Sequence, residues 1–288
     1  MDLETQSENG TGGSFRRQAW ADWTDVSIIR AWLAWRDKAA SHHRGLTDTL
    51  MERIGPVDGL SVLDLASGLG EPAFTLAKAV GPNGHVTATE ITEPFVASVQ
   101  SEGVANLTAV QADACAIPFP DESFDLVTSQ LGAMYFFPVS RAFGEAKRVL
   151  KPGGKVAILT WGMPEQGTFF ANCVFPFLAR SDIEPPPPDA PTPFRFSAPQ
   201  RLTNELSNAG FRDVKEERCI VEMVWPGHPE ELWDCLYETS ASLRAVFDAL
   251  TPEQFAEAKA ESIALMGRDA TDSSTLTTAE VVIGTAFR

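Results

Sequence analysis

The sequence predicts an α/β protein built on a parallel sheet, and three observations predict it. The stretch Val62–Ala73, VLDLASGLGEPA, reads as a buried strand, a tight glycine turn and the start of a helix. From residue 61 to residue 161 strand-like and helix-like patterns alternate, which implies parallel strands joined by crossover helices. Turn signals punctuate the alternation at Gly81-Pro-Asn-Gly84 and Lys151-Pro-Gly-Gly154.

Residues 1–14 are polar and acidic and read as a disordered tail. From Phe15 to Ile54 the pattern is helical in two or three pieces, with Gly45 expected to break the run. Trp20, Trp23, Ile28, Trp32 and Trp35 anchor the first pieces; Leu46, Leu50, Met51 and Ile54 form an amphipathic face leading to the first strand. In that strand Val62, Leu63 and Leu65 are apolar, as a central strand covered on both faces requires. Gly68 and Gly70 allow positive φ and close approach of a ligand to the backbone, and Pro72 suits the first turn of a helix.

Further strands are expected at residues 85–90, 106–111, 124–130 and 154–161, and helices at 71–80, 93–102 and 138–150. After residue 162 the alternation stops. The proline run from Pro185 to Pro188 is stiff and cannot form a central strand. Residues 162–196 read either as a cap inserted over the active-site edge, with Phe169, Phe170, Phe175 and Phe177 as an apolar wall, or as a plain surface loop. Ser197 is expected to cap a helix over residues 198–209, followed by a strand over 211–225 and one or two helices over 229–249. Thr251 caps a helix to about Met266 with Pro252 at its first position, and residues 279–287 form the last strand. Neither a repeat nor a second independent domain is visible, so residues 15–288 read as one domain with a helical lid at 15–56.

The glycine spacing Gly68-Leu-Gly70-Glu-Pro-Ala73 also fits the degenerate dinucleotide fingerprint, with Glu90 about 20 residues on. Asp64 and Glu71 argue against a pyrophosphate there, because a carboxylate beside the helix end repels the anion that the end would otherwise attract. A ligand carrying an ammonium and a sulfonium, with no phosphate, suits the site better.

Together with the acid-ended strand HVTATE, the block QADACAIPFPDESFDLVTSQLGAMYF and the segment RVLKPGGKVAILTW, this stretch resembles the class I S-adenosylmethionine-dependent methyltransferases related to ubiquinone and menaquinone biosynthesis enzymes. The resemblance covers Trp20 to Trp161 well and the remainder loosely. It implies a Rossmann-like sheet of seven strands, mostly parallel, with the last strand inserted antiparallel between its neighbours, and S-adenosyl-L-methionine as cofactor.

Matched residue by residue, it implies that Asp64 holds the glycine turn and approaches the methionine ammonium, while Ala66, Gly68 and Gly70 contact the amino-acid portion through their backbone. Glu90 would accept both ribose hydroxyls, Ile91 would lie against the adenine, Asp113 would accept from its exocyclic amine, and Ala114 would donate to a ring nitrogen. Gln130 would face the methylene chain or the acceptor. Leu131 and Met134 would line the mouth, with Trp20 and Trp23 lining the acceptor pocket from the leading segment. For each acid the alternative is structural: a turn-stabilising, strand-end or capping carboxylate.

Methyl transfer needs nucleophile, methyl and sulfur aligned in a dry pocket, and a base only if the acceptor must lose a proton for attack. Candidates are Tyr135 and His42, with His43 and His228 weaker. His42 and His43 read as a solvent-facing pair and His228 as a capping-region residue. The layout suggests a small, largely apolar acceptor such as a phenol, quinol or secondary metabolite, methylated on oxygen or carbon rather than nitrogen. The alternatives are a protein that binds the same cofactor without methyl transfer, such as a repurposed cyclase or decarboxylase, a nicotinamide oxidoreductase, or a non-catalytic binding protein.

A formal net charge of −16 over 288 residues opposes binding to nucleic acid or to an anionic membrane surface. No apolar run approaches a membrane span, and the N-terminus lacks the apolar core of a signal peptide. Cys115, Cys173, Cys219 and Cys235 lack metal-ligand spacing, so neither a metal site nor a disulfide framework is expected and a reducing cytoplasm is the default. Monomer and homodimer both stay open.

Overall fold

The structure is a computed structural model that describes Ala21 and residues 23–187 and 189–288. The proposed tail at 1–14, Trp20 and Pro188 lie outside the described residues.

Seven strands form one sheet in the order β3-β2-β1-β4-β5-β7-β6. They are β1 (Ser61–Leu65), β2 (His85–Glu90), β3 (Leu107–Gln111), β4 (Phe124–Gln130), β5 (Leu150–Trp161), β6 (Arg212–Trp225) and β7 (Thr275–Phe287). The first five are parallel, and β7 inserts antiparallel between β5 and β6. The strand order reverses between β1 and β4, and open α/β sheets bind their ligands at the carboxyl ends of strands beside such a reversal. Val62, Leu63 and Leu65 are buried with Leu126 and Val127 of the neighbouring β4, which is the two-sided burial that an unbroken apolar strand demands.

Several local expectations shift. The leading helices are Val26–His42 and Arg44–Ile54, and the chain breaks at His43 rather than Gly45. Gly45 sits inside the second helix because that helix presses on β6; a Cβ there would collide with the Glu222 carbonyl oxygen. The Lys151–Gly154 turn is present but forms a bulge within β5. Phe124 of β4 pairs with Leu150 and Leu126 with Lys155, so the turn residues loop out between two paired positions.

The expected helix at 198–209 is Arg201–Asn208, with Gln200 rather than Ser197 at its N-cap and no side-chain cap. Ser197 instead offers its carbonyl to Arg218. β7 begins at Thr275, four residues earlier than expected, because β6 extends far enough to pair with it from Trp225 onward. Thr251 caps the helix Pro252–Met266 through a full capping box with Gln254.

Between β6 and β7 the helices Pro229–Thr239, Arg244–Asp248 and Pro252–Met266 pack over the carboxyl side of the sheet's far half. Trp233, Phe247, Phe255 and Phe177 interlock there, with ring centroids 4.9–6.4 Å apart. Among the described residues no helix is long and apolar enough to cross a membrane.

Gly45→Ala should lower stability by about 1–3 kcal/mol, the usual cost of forcing an extra carbon into a packed contact. A urea midpoint equal to or above that of the parent would show that the helix–strand contact is loose.

Candidate functional site

At the carboxyl end of β1 the chain turns on two left-handed residues, Ala66 (φ 53°) and Gly68 (φ 53°). The turn is pinned from the neighbouring strand. Glu90, the last residue of β2, accepts from the Gly68 N–H at 2.9 Å through Oε2, and from the Ile91 and Thr92 N–H groups at 2.8 and 3.0 Å through Oε1. Glu90 is 7% exposed and faces the cleft. Burial pushes its carboxyl above the ordinary glutamate range despite these bonds. The carboxylate that holds the glycine turn is therefore Glu90; Asp64, expected from its place in the motif to do so, lies one layer behind.

Asp64 is fully buried. Its Oδ1 accepts from the Thr128 hydroxyl at 2.7 Å, while Oδ2 has no partner among the described residues. Burial raises Asp64 to about 8; nearby Glu71 and Glu90 push the same way and the Thr128 bond opposes them. At the end of β4, Gln130 donates to the Thr47 hydroxyl at 3.1 Å and leaves its own Oε1 buried without a partner among the described residues. Two acceptor oxygens beneath the turn thus await a donor.

A cavity of about 440 Å³ opens over this edge. Ala66, Gly68, Glu90 and Ile91 line it, with Asp113 and Ala114 following β3. Asp113 Oδ1 accepts from the Cys115 N–H at 2.8 Å, which closes the loop on itself. Gln130, Leu131 and Met134 line it from β4. Gly70 does not reach the lining, because the Phe74 ring lies against it where a side chain would otherwise stand. Trp23 does, and its carbonyl accepts from the Thr92 hydroxyl at 2.9 Å, tying the leading segment to the end of β2. Its ring meets Tyr135 edge-on at 5.4 Å.

The same cavity runs on into an aromatic chamber walled by Trp161, Phe169, Phe170 and Trp225, with Leu232 and Leu236 from the helix Pro229–Thr239. His42 and His43 face it. They are not a solvent-facing pair: His42 is 3% exposed and His43 is half-buried. Burial holds His42 well below the usual imidazole range, reinforced by His43, and lowers His43 to about 4. Both rings are therefore neutral at physiological pH.

A methyltransferase-domain family model matches residues 63–158. A ubiquinone/menaquinone biosynthesis C-methyltransferase of Shewanella pealeana is 35% identical over 128 residues, which are 43% of this chain and 51% of that one. The chain thus spans about half the length of that relative. A demethylmenaquinone methyltransferase of Staphylococcus aureus is 30% identical over 184 residues, 60% of this chain and 76% of that one. The chain belongs to the class I S-adenosylmethionine-dependent methyltransferase family. Its fold is shared with the YcgJ protein of Bacillus subtilis, at 18% identity and a TM-score of 0.53 over 86% of this chain and 99% of that one.

The family's cofactor is S-adenosylmethionine, and the residues present fit it. Gln130 Oε1, on the cavity wall, lacks a donor of the kind a ligand's ammonium would offer; Asp64, whose Oδ2 also has no partner among the described residues, is buried behind the lining. The carboxylates of Asp64, Glu71 and Glu90 crowd the turn and disfavour a pyrophosphate. Arg36, a cation on this methyltransferase's cavity wall, is engaged elsewhere, with Glu102 at 2.7 Å and Ser98 at 3.2 Å.

Of the remaining candidates, Phe169 and Phe170 form wall, whereas Phe177 packs into the Trp233 cluster and Phe175 stands off the cavity. His228 is an N-cap residue whose side chain makes no capping bond. Motif and periodicity did not point to Trp32, Trp161 and Trp225 as lining, nor to the whole contribution of the Pro229–Thr239 helix. One signal was available for His42: it continues the Ile28, Trp35 line at seven-residue spacing, which is the buried stripe of its helix.

Asp64 binds a proton in the folded chain at pH values where the unfolded chain, with a carboxyl near 4, has lost it. Its contribution to stability is thus full below about pH 4 and declines as pH rises to about 8. Asp64→Asn should flatten the fall in stability between pH 5 and pH 8 in urea titrations of the ligand-free protein. An unchanged slope would mean that Asp64 is ionised in the fold throughout.

Proposed function

We propose that this protein transfers a methyl group from S-adenosylmethionine to a small, largely apolar acceptor: a phenol, a quinol or a comparable hydroxylated secondary metabolite. One observation carries the reading. A single cavity joins the acid-crowded glycine turn to a chamber walled by indole and phenyl rings. One half suits a cationic cofactor and the other suits a flat apolar partner.

When bound, the cofactor supplies a methyl group activated by a positively charged sulfur that leaves as a neutral thioether. The chain's part is to bind, orient and keep out water. Gln130 receives the ammonium through its unpartnered oxygen and Asp64, buried behind the lining, does so directly or through a water, with the Ala66 and Gly68 backbone alongside and Gly70 supporting the turn from behind. Glu90 receives the ribose. Three of its roughly four lone-pair sites already hold backbone N–H groups, so it has room for one hydroxyl and a second only by releasing a backbone partner. Asp113, Ala114 and Ile91 take the adenine, and the apolar wall they share with Phe95 excludes water from it.

Leu131 and Met134 line the cavity beside Gln130, and Trp23 and Tyr135, in edge-on contact, line it as well. A dry site strengthens the pull of these carboxylates on a positive charge. Tyr135 and His42 are the groups placed to handle an acceptor proton. Neutral acceptors are favoured over anionic ones because the acids around the turn repel anions.

Glu90→Gln should weaken S-adenosylmethionine binding by about 1–3 kcal/mol, the scale of a lost charge-assisted hydrogen bond, with the melting profile showing that the fold persists. Calorimetry in buffers of different ionisation heat should also show a net proton release on binding near pH 7, as the ammonium draws Asp64 into its ionised form. Undiminished affinity in Glu90→Gln would remove the ribose assignment. Incubation with labelled cofactor and a panel of phenols, quinols, amines and thiols tests the activity itself, with S-adenosylhomocysteine and a methylated product as the expected outcome.

A further inference from the structure

Two histidines face the aromatic chamber, and only one is held by hydrogen bonding among the described residues. His42 Nε2 lies 3.0 Å from the Thr277 hydroxyl oxygen, and that hydroxyl donates to the Met223 carbonyl at 3.3 Å. A threonine hydroxyl has one proton to give. With that proton on Met223, Thr277 can only accept from His42, so the hydrogen between them belongs to Nε2. Nδ1 then carries the ring's lone pair, and it is the nitrogen left for the cavity that His42 lines.

The relay is rigid. Met223 and Thr277 are register partners across β6 and β7, and both are buried. The His42 ring is clamped edge-on by Phe169 at 5.2 Å and Trp225 at 5.9 Å. His43, by contrast, makes no ring hydrogen bond among the described residues; its ring leans on His42 at 5.5 Å and Trp161 at 6.2 Å, and neither contact selects its tautomer.

We propose that the Met223–Thr277–His42 relay fixes His42 as the Nε2–H tautomer and sets its Nδ1 to accept the hydroxyl proton of a neutral hydroxylated aromatic acceptor, which is methylated on oxygen. This rests on the methyl-transfer reading above. In the step the acceptor oxygen–carbon bond forms as the sulfur–carbon bond breaks. The hydroxyl proton passes to Nδ1, and the positive charge that leaves sulfur comes to rest on the imidazolium before the proton is lost to solvent. Charge is conserved inside the dry cavity, which is what lets a buried, weakly basic imidazole serve. A carboxylate acceptor would point oxygen at a lone pair and leave both groups without a hydrogen. A single fixed lone pair matches oxygen methylation, in which one proton leaves.

Thr277 is here a positioning residue, and two measurements separate that from a merely structural one. In ¹⁵N spectra of histidine-labelled protein without cofactor, the signal absent from His42→Phe should report an Nε2–H ring in the wild type and in Thr277→Ser, and a tautomer mixture in Thr277→Val. An Nδ1–H ring in the wild type overturns the relay.

In turnover, Thr277→Val should lower kcat for a phenol about tenfold or more with little change in KM, a part of the ~10²–10⁴-fold that proton transfer contributes. Thr277→Ser should restore it, and the loss for a thiophenol already ionised at the assay pH should be at least about tenfold smaller. Equal losses for both acceptors, or none, overturn the relay and leave the methyl-transfer reading standing. A wild type that binds S-adenosylmethionine by calorimetry but methylates no acceptor overturns that reading and the relay with it.

Discussion

The buried carboxylate of Glu90 is the constraint on which the site depends. Three backbone N–H groups converge on its two oxygens, one from the turn after β1 and two from the chain leaving β2. The Glu90 carbonyl also accepts from Ala112 after β3, and the Thr92 hydroxyl holds the carbonyl of Trp23. The carboxyl edges of three strands and the leading segment are thereby tied together within a few residues of one side chain. Without it the turn would keep the Ser67 N–H bond to the Thr89 carbonyl but lose the tie at Gly68 itself, and the chain leaving β2 would lose its bonds to the same side chain.

That arrangement has an electrostatic consequence. Burial raises the proton affinity of Asp64, Glu71 and Glu90 alike, and Glu71 and Glu90 stand close enough to raise that of Asp64 further. The ligand-free site is thus held in an unfavourable charge state, with acceptor oxygens on Asp64 and Gln130 that nothing among the described residues satisfies. A cationic ligand, as proposed, would ease both the crowding of acids and the missing hydrogen bonds. Across the cavity the problem is reversed. The rings of Trp161, Phe169, Phe170 and Trp225 offer area but few polar atoms, and the two histidines among them are kept neutral by the same dryness. Burial therefore drives acids and imidazoles alike towards their uncharged forms.

The parallel half of the fold could be read from the sequence because its signals are local. Each strand from β1 to β5 carries a strand-like pattern bounded by its own turn, so 85–90 and 124–130 come out at their observed limits. The acids at strand ends were visible for the same reason, since Glu90 closes β2 and Asp113 stands just after β3. Which acid does what was not visible. Asp64 and Glu90 are 26 positions apart in the chain, and only the β1–β2 register, with Asp64 opposite Ala88, decides that Glu90 reaches the turn while Asp64 sits behind it. The bulge at Lys151–Gly154 and the collision that keeps Gly45 a glycine are likewise properties of pairs of elements, not of either segment.

By itself the sequence determined an α/β chain with a glycine turn, its ring of carboxylates and a leading helix rich in tryptophan, because strand periodicity, turn chemistry and charge are written residue by residue. Tertiary structure alone decided that His42 and His43 are buried, that the helix after β6 helps wall the chamber, and that Thr277, on the last strand, meets His42 on the first described long helix. Those residues lie up to 235 positions apart, and a contact at that separation is set by how β7 inserts between β5 and β6, a choice that no local window of sequence contains.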